Sequence, residues 1–159
     1  MASLSGIGRR GLVLAFVALV LALGSAPNAA LAKPGLETLS LVTAKGRTPF
    51  TVEIAATPAE QERGLMFRKS LAPDRGMLFI YKQPQEAAYW MRNTYIPLDI
   101  LFIAPDGRVL SIARNARPLD ETPIPSGGII SAVLEIAGGR AAQLGVLPGD
   151  KVVHRIFPK

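Results

Sequence analysis

Phe50-Thr51-Val52-Glu53-Ile54-Ala55-Ala56-Thr57-Pro58-Ala59-Glu60 changes period midway, and that change points to the fold class. In the first half Phe50, Val52 and Ile54 share one face and Thr51 and Glu53 the other, as a half-buried strand requires. Glu53 reads there as a solvated face residue. The second half opens a helix. Thr57 can cap it, Pro58 suits the first helical position, and Glu60 can close a capping box. The helix runs through Glu62-Arg63 toward Leu65-Met66. Gly64 lowers helix propensity, so either the helix is short or a neighbour packs closely there.

Working outward, the same alternation of short apolar runs and turn residues continues. Leu39 to Thr43 is apolar, and Lys45-Gly46-Arg47 reads as a turn. Gly76-Met77-Leu78-Phe79-Ile80-Tyr81 barely alternates, as expected of a strand buried on both faces. Further strands are expected over residues 87–92 and 98–103. Pro105-Asp106-Gly107 then turns the chain into a hairpin partner over 108–113. Residues 115–128 hold three prolines and two glycines and read as a long loop. A strand over 132–136, a short helix over 139–144 ended by Gly145, and a last strand over 151–157 complete the pass. The fold class is α+β, mainly β. Seven or eight short strands and two short helices predict a small closed or partly closed β-barrel, since closure removes exposed strand edges.

The N-terminus has a different composition. Arg9 and Arg10 precede an unbroken apolar run of twelve residues, Leu12 to Leu23, and Ala30-Leu31-Ala32 offers small residues for cleavage. This is the order of a secretory signal peptide. Pro27-Asn28 follows the run too soon for a spanning helix, which needs about 20 apolar residues. The expected organisation is a signal peptide over 1–32, a short linker over 33–38, and one domain over 39–159. The implied address is periplasmic or extracellular, with no stable membrane insertion after cleavage. There are no cysteines, so a lipid anchor on cysteine, disulfides and thiol chemistry are excluded. Of 18 basic residues two lie in the leader, which leaves the mature part 16 against 12 acidic ones, net +4. These charges are dispersed, unlike the concentrated stripe of a nucleic-acid reader. No nucleic-acid partner is expected.

Several chemistries lack their residues. There is no nucleophile elbow, phosphate-binding loop or dinucleotide fingerprint. His154 is the single histidine, and it reads as a packed or rim residue. No cofactor, metal or catalytic residue is assigned. The densest stretch is Tyr89-Trp90-Met91-Arg92-Asn93-Thr94-Tyr95-Ile96-Pro97-Leu98-Asp99-Ile100. Asp99 lies among apolar neighbours and needs a partner if buried. Arg92, Asn93, Thr94, Arg63 and Arg68 are the candidates. The cluster reads either as a pinned structural network or as a ligand-facing carboxylate with Trp90 as an apolar wall. Glu135 poses the same question. Convergence of Asp99 and Glu135 would make a two-carboxylate hydrolytic pair. Met66, Met77 and Met91 read as core fillers.

Thr57-Pro58-x-Glu60 through Gly64-Leu65-Met66-x-Arg68, then Gly76-Met77-Leu78-Phe79, then Trp90-Met91-x-Asn93-Thr94-x-x-Pro97-Leu98-Asp99-Ile100-x-Phe102, resembles the domain of unknown function 192 family. Val133-Leu134-Glu135 and Leu144-Gly145-x-x-x-Gly149-Asp150 are similar to its C-terminal motifs. The resemblance covers residues 39–157. It implies a small, mostly β protein, often exported, and no mechanism, because the family has no established activity. Tyr89 departs from a common phenylalanine. Leu119 and Ile124 stand where many members carry a cysteine pair.

The expected function is a monomeric, non-enzymatic binding or accessory module of the cell envelope. Its partner is a small molecule or envelope component, bound by a polar and aromatic cluster of Arg63, Arg68, Trp90, Asn93, Thr94, Asp99 and Glu135. The alternative is a small envelope hydrolase, with glycans as a candidate substrate class and Asp99 and Glu135 as its acids. A third reading puts function on the 115–128 loop.

Overall fold

The computed structural model describes residues 35–158. The expected signal peptide, the first two linker residues and Lys159 lie outside the described residues. In chain order the elements are β1 (Leu36–Thr43), β2 (Gly46–Ala55), α1 (Pro58–Arg63), β3 (Arg75–Gln85), β4 (Ala88–Tyr89), β5 (Leu98–Ile103), β6 (Val109–Ala116), β7 (Ile124–Pro125), β8 (Ile130–Ala137), α2 (Arg140–Leu144) and β9 (Lys151–Val153). Seven strands form one sheet in the order β6-β5-β8-β3-β2-β1-β9, and β4 pairs with β7 in a small second sheet. The large sheet curls into a half-barrel. Its two edges approach at one end, where Arg108 bridges Lys151 and the Val152 amide donates to the Gly107 carbonyl at 2.8 Å.

Period-2 patterning decides which face each side chain takes. Leu39, Leu41, Phe50, Val52, Leu78, Leu101, Leu134 and Val152 fill the concave side. Met77, Phe79, Ile100, Phe102 and Val133 project from the opposite face. There Leu65, Met91, Ile96 and Leu71, from the crossover and loops, cover them. β3 and β8 are thus buried on both faces, and burial of each large apolar side chain contributes about 1.5–3 kcal/mol.

α1 forms as its sequence requires. Glu60 N–H donates to Thr57 Oγ1 at 3.3 Å, and Thr57 N–H donates to Glu60 Oε2 at 2.9 Å. The helix stops at Arg63 because Gly64 turns out at φ 46°, ψ −135°. A Cβ at Gly64 would also lie 3.1 Å from the Phe79 ring. α1 lies in the crossover that carries β2 to a parallel β3.

Some expected boundaries move. β1 starts at Leu36, inside the expected linker. The strand expected over 87–92 is only Ala88–Tyr89, because the Met91 amide is drawn to the Asp120 carbonyl at 2.7 Å and Asn93 turns the chain at φ 55°. The last strand ends at Val153, since the Phe157 amide closes a turn onto the His154 carbonyl. His154 is packed: its Nε2 lies 2.9 Å from Glu37 Oε2 and its side chain is 2% exposed. Burial lowers its pKa, against the pull of the Glu37 carboxylate. Glu53 is not merely solvated. It forms a half-buried, two-pronged ion pair with Arg68 at 2.5 and 2.8 Å.

Candidate functional site

The central strands place the two carboxylates of interest on opposite sides of the sheet. Asp99 is opposite Ile136 in the β5–β8 ladder, and Ile100 is opposite Glu135. Adjacent positions on a strand point to opposite faces. Asp99 and Glu135 therefore do not converge, and the two-carboxylate pair is overturned.

Asp99 is fully buried, and its partners are backbone amides rather than the arginines expected from sequence. Its Oδ1 accepts from the amides of Asn115 at 2.6 Å and Gly139 at 3.1 Å. Its Oδ2 accepts from the Ala141 amide at 2.6 Å. The carboxylate thus ties β6 and the start of α2 to β5. Bonds of this kind to a charged acceptor are each worth about 1.5–3 kcal/mol. Asp99 is a structural pin.

Glu135 is different. It belongs to a cross-strand row on the second face, Glu53–Met77–Glu135–Ile100. It is 5% exposed, and no hydrogen bond to its carboxyl is found among the described residues. Burial pushes its pKa up to about 8, against a weaker pull from Arg68. Glu135 borders a cleft of about 200 Å³, together with Arg63, Phe79, Tyr81, Tyr89, Trp90 and Thr94. A wider cleft of about 450 Å³ runs along the Arg68–Glu53 pair, but its carboxylate is already answered by the guanidinium.

Two tyrosines define the small cleft chemically, and their role was not read from the sequence. Tyr81 and Tyr89 share a 3.0 Å hydrogen bond between hydroxyls. Burial raises the pKa of both. Tyr89 also meets Phe79 and Phe102 edge-on, at 5.3 and 5.8 Å between centroids. The available signal was Tyr89 itself, since a phenylalanine there would lack the bonding hydroxyl. Trp90 is 47% exposed, and the Arg92 guanidinium lies 4.6 Å over its ring.

Of the expected cluster, Arg63, Trp90, Thr94 and Glu135 meet at this cleft. Arg68 stands one strand away, on Glu53. Asn93 supports the loop instead: its carbonyl accepts from the Phe67 amide at 2.8 Å, while the Thr94 carbonyl accepts from the Leu119 amide at 3.1 Å. These contacts hold Phe67, Asn93 and Leu119 in left-handed conformations, at φ 64°, 55° and 62°. Such backbone persists only where its surroundings enforce it. Met77 and Met91 are core residues as expected, whereas Met66 lines the cleft.

Residues 40–154 match the model of the family described as DUF192, "Uncharacterized ACR". The chain is similar to a crystal structure of a protein of unknown function from Novosphingobium aromaticivorans, with 51% identity over 75% of this chain and 85% of that one, at a TM-score of 0.74. It is also similar to the structure of a putative transcription regulator from Sinorhizobium meliloti. That match has 42% identity over 79% of this chain and 98% of that one, at a TM-score of 0.76. No curated protein matches the chain.

Proposed function

This chain belongs to the DUF192 family of uncharacterised proteins, and we propose that its domain is an exported, monomeric binding module of the cell envelope that takes a small ligand in the Glu135 cleft. The observation that carries this reading is the Glu135 carboxyl itself, buried, without a hydrogen bond among the described residues, and bordering an open cleft. Its oxygens are not among the fully buried unpartnered side-chain atoms of the described residues, so they meet the cleft, where a ligand would replace water. A ligand supplying the missing partner gains what the folded chain forgoes. Aromatic walls with a few convergent polar groups are the usual make-up of small-molecule sites. The volume suits a compact molecule. Asp99 is committed to backbone amides on the other face, which favours binding over paired-carboxylate hydrolysis.

Trp90 is the single tryptophan, so its fluorescence reports on the cleft directly. Titration with small amines, sugars and carboxylates is expected to move its emission and raise the melting temperature for one class. No response from any class sinks the reading. The leader over residues 1–32 supports export, which predicts a form beginning at Lys33 in the envelope fraction of an expressing cell. Retention of the full chain in the cytoplasm would overturn that part. Nucleic acid is not a proposed partner, because the positive charges are dispersed. One relative is described as a putative transcription regulator, so duplex DNA belongs in the assay. Salt-dependent DNA binding would replace the small-ligand reading.

A further inference from the structure

The geometry points to the ligand's charge: the Glu135 cleft takes an organic ammonium ion, held against the Tyr89 and Trp90 rings with the Glu135 carboxylate as its counter-ion. This rests on the preceding reading that the cleft binds a small ligand.

Three observations converge. Phe79, Tyr81, Tyr89 and Trp90 all border the cleft, and aromatic faces attract cations, most strongly when water is excluded. One face of Trp90 already stacks on the Arg92 guanidinium, 4.6 Å from its centroid, so a ligand cation takes the other face of the ring or displaces Arg92. Glu135, 5% exposed, brings to the cleft a carboxyl with no hydrogen bond among the described residues.

The charges around Glu135 leave it as the deciding group. From the crossover, Arg68 is ion-paired with Glu53 and pulls on Glu135 more weakly than burial pushes, and Arg92 lies over the Trp90 ring. From α1, Arg63 and Glu62 stand at the rim with opposite charges. From β3 and β4, Tyr81 and Tyr89 contribute neutral hydroxyls held above their ordinary pKa by burial. β5 contributes Ile100, which carries no charge. When Glu135 ionises, Arg68 offsets only part of the cost of burying its charge, and an anion in contact with the carboxylate would meet it unfavourably. Free Glu135 stays protonated up to about pH 8. An arriving ammonium ion makes the carboxyl release that proton to solvent, and the O–H bond is replaced by an ion pair. Binding is then coupled to one proton. Affinity rises tenfold per pH unit up to the free pKa and is level above it.

Three probes of matched shape test this. Choline is permanently cationic, 3,3-dimethylbutan-1-ol is its neutral counterpart, and 3,3-dimethylbutanoate is anionic. Each is titrated against the protein between pH 6 and 9 by Trp90 fluorescence. Choline is expected to bind at least ten times more tightly than the alcohol at pH 8, and to lose about tenfold in affinity per unit below it. Glu135→Gln is expected to reduce choline to the alcohol's affinity and to flatten its pH profile. Equal or tighter binding of the alcohol or the butanoate at pH 8 overturns the ammonium assignment and leaves the cleft as a ligand site. Silence of Trp90 toward all three, and toward sugars and carboxylates, overturns the cleft reading itself.

Discussion

Glu135→Gln is expected to make the protein more stable, and increasingly so as the pH rises. Burial raises the Glu135 pKa from 4.5 to about 8, with desolvation outweighing the attraction of Arg68. In the unfolded chain the same carboxyl regains its ordinary pKa. Between these two values the folded state keeps a proton that the unfolded state has released, so the unfolded state binds fewer protons and stability falls as pH increases. The contribution is fully present below pH 4.5, declines through the interval, and is lost once pH passes 8. Each unit corresponds to about 1.4 kcal/mol, so the full interval amounts to roughly 5 kcal/mol. Against a total stability of about 5–15 kcal/mol for a domain, this is a large fraction. Glutamine has nearly the same shape and no charge to desolvate. Urea denaturation of both proteins at pH 5, 6, 7, 8 and 9 measures the difference. The variant should match the parent to within about 1 kcal/mol at pH 5 and exceed it by several kcal/mol at pH 8. Parallel profiles across that range would refute the reasoning, since they would mean that Glu135 titrates alike in both states.

Asp99→Asn is expected to cost about 3 kcal/mol, because either orientation of the amide turns its NH₂ toward a backbone N–H and orphans that donor; a loss under 1 kcal/mol in urea would end the account of Asp99 as a pin. Gly76→Ala puts a Cβ 2.5 Å from the Glu135 carbonyl oxygen. It should force β3 and β8 apart at a cost of about 3 kcal/mol, which a thermal melt would detect; an unchanged melting temperature would show that the ladder can widen. Arg68→Ala removes the one cation that lowers the Glu135 pKa. The pH-dependent loss of stability should then still begin near the ordinary carboxyl pKa but extend to higher pH. An unmoved midpoint would mean that Glu53 already screens the guanidinium completely.

The parts of the fold that could be read in advance are those set by neighbours in the chain. The capping box needs only Thr57 and Glu60, and both of its bonds form. Alternation in Phe50, Val52 and Ile54 places all three in the concave core. β5 occupies Leu98–Ile103, as its apolar run predicts. Gly64 implies either a helix end or a close neighbour, and both hold: the helix stops there and a Cβ would lie 3.1 Å from the Phe79 ring. One boundary failed where a distant partner intervened. Trp90 leaves its strand because the next amide, that of Met91, is claimed by Asp120, 29 residues further along the chain.

The cluster of candidate residues was half legible for the same reason. Composition and motif density singled out Trp90, Thr94, Asp99 and Glu135, because polar groups in apolar strands must be answered somehow. Which carboxyl is answered is a matter of strand register. By itself the sequence determined a mainly β domain of one core size, without cysteine chemistry, and the set of residues whose burial would matter. Only the tertiary structure decided that Asp99 meets three amides, from residues 16 to 42 positions further along the chain, while Glu135 faces the cleft alone. The physical reason is that side chains alternate faces along a strand. The β5–β8 register, with Asp99 opposite Ile136 and Ile100 opposite Glu135, sends one acid into the scaffold and the other toward the cleft.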